Sequence, residues 1–136
     1  ADNKLVKGDG SSVKQSGKST IYDFGGRDQS FSVTNDDAVS FSESGKSFIV
    51  NNIGANESKG TITLRSQNTT PNGSGKASGL HIGSGNTTIN SNLVIETSAD
   101  YMTDGIQVGG NGTLTINGSV KMRKDDNDNP WGGSDQ

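Results

Sequence analysis

The stretch "DGIQVGGNGTLTING", residues 104–118, reads as a strand, a break and a strand again. Ile106 and Val108 alternate with Gln107, and Leu114 and Ile116 alternate with Thr115, the period of an extended chain with one apolar side. Between them Gly109-Gly110-Asn111-Gly112 offers the conformational freedom that a corner in a narrow coil needs. The stretch is therefore one strand, a corner and a second strand, closed by Asn117.

Two relatives of this pattern lie upstream: "DAVSFSESGKSFIVNN" from residue 37 and "SGLHIGSGNTTINSN" from residue 78. Each starts with an apolar–x–apolar burst, passes a glycine-bearing corner, and ends in an aliphatic followed by asparagine: Val50-Asn51, Ile89-Asn90 and Ile116-Asn117. A third short strand follows each: Ile62–Leu64, Leu93–Ile95 and Val120–Met122. Three strands and three corners are the content of one coil of a parallel β-helix, an all-β solenoid. Stacking the coils aligns Val39, Leu80 and Ile106, with Phe41, Ile82 and Val108 beside them. On the second side Val50, Ile89 and Ile116 align. The third aligns Ile62, Leu93 and Val120, then Leu64, Ile95 and Met122. All of these point inward. The outward positions then align Ser40, His81 and Gln107, and separately Arg65, Glu96 and Arg123, an alternating-charge ladder that cross-strand pairing favours.

Residues 19–36 read as an earlier, irregular coil with Ile21, Phe24, Phe31 and Val33 inward, giving about four coils in all. Residues 1–18 are a polar lead-in or cap, 19–123 the coils, and 124–136 a C-terminal loop where the next coil belongs. The chain thus reads as a fragment cut from a longer solenoid, with an unpaired edge at one end. Residues 67–78 and 98–104 are surface excursions. This architecture accommodates a composition that a two-layer domain would not. Only 26% of residues are hydrophobic and mean hydropathy is -0.68, yet a thin apolar column is enough for a solenoid. A net charge of -3 gives no electrostatic footprint for nucleic acid. With no cysteine, disulfides, thiolate metal sites and cysteine nucleophiles are excluded. No apolar run reaches the roughly 18 residues of a transmembrane helix.

The pattern "DGIQVGGNGTLTING", with "GLHIGSGNTTINSN" and "AVSFSESGKSFIVNN", resembles the passenger domains of Gram-negative autotransporters, the pertactin-like adhesins of type V secretion. The likeness covers roughly residues 19–123 and lies in repeat texture: Gly/Asn corners, short β-branched strands and absent cysteine. It implies a right-handed parallel β-helix displayed at the bacterial surface, with roles in adhesion, aggregation or biofilm formation. The implied partners are host glycans, host surface proteins or identical chains, with no cofactor and no membrane insertion by this fragment.

Candidate sites are few. His81, the only histidine, projects outward with Ser40 and Gln107 and has no carboxylate or serine placed to complete a catalytic set. His81 and Gln107 are therefore candidates for ligand contact rather than catalysis. Trp131, the only tryptophan, either stacks on a sugar or partner or covers the open end of the last coil. Asp125, Asp126 and Asp128 in "DDNDNPWGG" supply calcium-type oxygens. The stretch lacks both the EF-hand spacing with its closing glutamate and the RTX nonapeptide, so a solvated loop is the preferred reading. The threonine-rich strands place Thr on different sides of the coil, which disfavours an ordered threonine face. Asn51, Asn90 and Asn117 read as a structural ladder of stacked amides. A surface binding protein is thus the leading expectation. A polysaccharide lyase or hydrolase on the same scaffold, or a segment that caps the passenger or templates its folding, are the alternatives.

Overall fold

A computed structural model describes residues 12–69, 78–99, 105–125 and 134–135. The protein is all-β. Its strands are β1 (Ser12–Ser16), β2 (Ser19–Asp23), β3 (Gln29–Thr34), β4 (Val39–Asn51), β5 (Thr61–Asn68), β6 (Leu80–Asn90), β7 (Asn92–Ala99), β8 (Ile106–Ile116), β9 (Val120–Asp125) and β10 (Ser134–Asp135). One 3-10 turn, Ala55–Glu57, is the only helical element among the described residues. The strands form two sheets, ordered β1-β2-β4-β6-β8 and β10-β9-β7-β5-β3. From β2 to β9, successive strands fall in alternate sheets, and each pairs in parallel with the strand two places on. Among the described strands only β1 on β2 and β10 on β9 pair antiparallel. The parallel pairing needs a crossover at every step, and each crossover runs through the intervening strand, which lies in the other sheet.

The registers place like residues side by side. Val39 neighbours Leu80 and Leu80 neighbours Ile106, while Val50, Ile89 and Ile116 follow the same order. In the other sheet Ile62, Leu93 and Val120 align, as do Leu64, Ile95 and Met122. Alternation then sends each set to one side of its strand. The inward set forms one apolar core that includes Leu80, Ile82 and Ile95, each at 0% exposure. Burying each such side chain contributes about 1.5–3 kcal/mol. Phe41 and Phe48 stack across the first corner of β4, with ring centroids 4.2 Å apart and planes 5° from parallel.

Three details depart from the sequence reading. The first two strands of each repeat are one continuous strand: β4, β6 and β8 run through their corners with register shifts at Phe41/Ser42, Ser42/Ser47 and Ile82/Ser84. Glycine lets the backbone bend there while the ladder resumes on the far side. Ile21 does not point inward. It neighbours Ile49, whereas Tyr22 neighbours the buried Val50 and packs on the core. A shift of one residue exchanges the two sides of a strand, and two adjacent large side chains left that choice open. Finally, Val108 and Val120, expected inward, are 46% and 41% exposed. Val108 lies on β8, the last strand of its sheet among the described residues, so one side of its column has no covering neighbour. Within the lead-in, Ser12–Ser16 form β1. At the other end, Ser134–Asp135 pair antiparallel with β9.

Candidate functional site

The outward column Ser40–His81–Gln107 is assembled as register neighbours on β4, β6 and β8. Its central histidine has a partner that sequence reasoning missed. His81 Nδ1 lies 3.2 Å from Asp37 Oδ2. Asp37 is itself buried, its side chain only 5% exposed against 27% for His81. The other carboxylate oxygen, Oδ1, accepts the Ser78 backbone N–H at 2.8 Å, and the Ala38 N–H donates back to the Ser78 carbonyl at 3.0 Å. Asp37 therefore orients the imidazole and fastens the entry of β6 to that of β4. In sequence it stands in a turn, far from His81, and no local spacing links the two.

On β5, β7 and β9 the outward ladder Arg65–Glu96–Arg123 is in register. Arg65 Nε donates to Glu96 Oε1 at 3.1 Å, and Arg123 Nη1 sits 3.8 Å from Oε2. The Glu96 side chain is 7% exposed, much less than an outward position implies. Glu96→Ala removes the counter-charge of two guanidinium groups that still reach solvent. It is expected to cost about 1–2 kcal/mol, between the values for exposed and buried pairs. Urea unfolding at low and high salt measures this, with a smaller loss at high salt.

A second ladder runs at the ends of β4 and β6 and just beyond β8. Asn90 Nδ2 donates to Asn51 Oδ1 at 2.7 Å, and Asn117 Nδ2 donates to Asn90 Oδ1 at 2.7 Å. The amides thus form a chain with one direction, each rung donating to the one before it. Asp23 occupies the next position down, opposite Asn51. Asn90 is the only rung that both donates and accepts within the chain, so Asn90→Ala is expected to cost about 1–2 kcal/mol. Asn117→Ala, which breaks one bond, costs about half as much by the same measure. Paired urea denaturation curves check the ratio.

Beside this ladder, in the interior, buried Asn52 Nδ2 donates to Ser91 Oγ at 3.3 Å, and Ser91 Oγ donates to the Gly60 carbonyl at 3.1 Å. Of the acidic candidates, Asp125 ends β9. Asp126, Asp128 and Trp131 lie outside the described residues. Among the described residues, no group of three or more His, Asp or Glu side chains is placed to hold a metal ion. No described helix is long and apolar enough to cross a membrane. No family model, curated protein or solved structure matches the chain.

Proposed function

We propose that the chain is part of a right-handed parallel β-helix with three-strand coils, about four of them here, belonging to a surface-displayed, adhesin-like passenger. Its role is structural and binding. The observation that carries this reading is the in-register stacking of polar outward columns over a narrow apolar interior. Alternation of the strands between two parallel sheets supports the coiled path. The asparagine and Arg–Glu–Arg ladders support repetition of one unit along an axis. Such an object offers extended side-chain arrays, which suit many weak contacts with a glycan, a host surface protein or an identical chain. The resemblance to autotransporter passengers adds the bacterial surface as the setting and adhesion, aggregation or biofilm formation as the output.

Display of the 136-residue chain on a non-adherent bacterium, through an unrelated outer-membrane anchor, tests the reading. Adhesion to epithelial cells or settling of the culture should rise several-fold over the anchor alone. If neither changes, the binding role falls.

The His81–Asp37 pair favours one competing reading, a polysaccharide-degrading enzyme, because a carboxylate-oriented imidazole is suited to moving a proton. Release of reducing or unsaturated sugar ends that disappears in His81→Ala would establish that reading in place of the first.

A further inference from the structure

The outward side of the second half of each coil forms a continuous array. Ser47–Asn51 of β4, Asn86–Asn90 of β6 and Thr113–Ile116 of β8 pair without a register shift, and Ser19–Asp23 of β2 joins them. Alternation sends Phe48, Thr87 and Leu114 inward and turns the residues between outward, half-buried at Ile49, Thr88 and Asn90 and exposed at Asn86, Thr113, Thr115 and Asn117. Three outward columns result. The middle one is Ile21, Ile49, Thr88 and Thr115. On one side of it lie Ser47, Asn86 and Thr113, and on the other the amide ladder. Thr88, not Thr87, is thus the outward threonine of β6, and it stacks on Thr115.

We propose that this array binds a neutral, β-linked polysaccharide lying along the stacking axis. The inference rests on the binding role above and names the partner. The amide column offers both hydrogen-bonding senses. Each asparagine has two N–H donors and an oxygen with two lone pairs. The ladder uses one N–H and one lone pair of Asn90, and leaves the whole Asn51 amine and the whole Asn117 oxygen unused. On the opposite margin, Asn86 and Thr113 make no side-chain hydrogen bond with other described residues. Hydroxyl groups donate and accept alike, so they match such margins, whereas a purely accepting anion does not. Between the margins runs the column Ile21, Ile49, Thr88 and Thr115, of aliphatic and methyl-bearing side chains. A β-linked sugar ribbon has the complementary layout: hydroxyls along both edges and C–H groups across its face. Neighbouring rungs repeat about every 4.8 Å, the scale of one pyranose ring. Charge argues the same way. The three columns of β4, β6 and β8 carry no ionisable side chain, and Asp23 and Lys14 stand only at the β1–β2 end.

The test uses the full chain with hydroxyethyl cellulose as the neutral β-1,4-glucan and heparin as the anionic comparison. Affinity electrophoresis reads retention and sedimentation reads association. The wild-type chain should be retarded by the glucan and not by heparin. Thr88→Lys and Thr115→Lys should each weaken retention at least ten-fold. Thr63→Lys, on the other sheet, should leave it unchanged. Unfolding midpoints within a few degrees of wild type show that the variants fold. Retention that survives both lysine substitutions places the ligand elsewhere and overturns the proposal. So does an absence of retention. If the unretained chain dimerises, and Thr115→Lys abolishes the dimer, the occupant is a second copy: the glycan proposal falls while the binding role stands. An unretained, monomeric chain that also fails the adhesion assay removes both.

Discussion

Gly85→Ala lowers the free energy of unfolding by about 2–4 kcal/mol, from left-handed strain and overpacking together. Gly85 stands at the β6 corner with φ of +82°. A methyl group there would fall onto the carbonyl oxygen of Glu43 and within 2.9 Å of that of Lys46. Both oxygens belong to the backbone of β4, which is held to β6 on either side of the corner by the ladder. Rotation of a side chain cannot relieve the contact; one strand must move away from the other. Gly110→Ala is the natural control, because nothing lies within 4 Å of its added carbon and its φ is not in the left-handed range. Its expected effect is within about 0.5 kcal/mol. Urea denaturation followed by circular dichroism measures both. Equal stability of the two variants would contradict the close approach of β4 and β6.

Ile95→Ala is expected to cost about 3–4 kcal/mol, within the range for aliphatic truncation in a closed core. Ile95 has no exposed surface and lies in the column between Leu64 and Met122. Its Cγ2 fills the space that a side chain at Gly79 would occupy. β7 is flanked on both edges by paired strands, so the surroundings cannot collapse into the gap. Met122→Ala, at the less buried end of the same column, should cost less than half as much. The difference reads the depth of the column directly. An Ile95→Ala loss below about 1 kcal/mol would mean that this side chain is not enclosed.

The columns were legible in the sequence because short aliphatic bursts alternate with period two and recur beside the same glycine and asparagine signals. Val50-Asn51, Ile89-Asn90 and Ile116-Asn117 are enough to align three strands. The continuity of β4, β6 and β8 was not legible, since a glycine corner that bends a strand resembles one that ends it. Ile21 and Tyr22 could not be assigned to sides without the register against Ile49 and Val50. Asp37 eluded the reading for another reason: its role depends on a long-range contact with His81 and on a backbone bond to Ser78, and turns commonly carry aspartate for local reasons. The Thr88–Thr115 stack was obscured by Thr87, whose inward side follows from alternation but whose composition looks surface-like. Thr87 Oγ1 is buried with no partner among the described residues, a polar cost that sequence pattern does not reveal.

From β2 to β9 each strand pairs with the strand two places on rather than with its neighbour in sequence. Proton–proton contacts in solution, measured by nuclear magnetic resonance on the labelled 136-residue chain, check this pairing. Parallel-strand contacts are expected from Ile49 to Thr88 to Thr115, and from Leu64 to Ile95 to Met122. Antiparallel contacts joining β5 to β6, or β7 to β8, would contradict it.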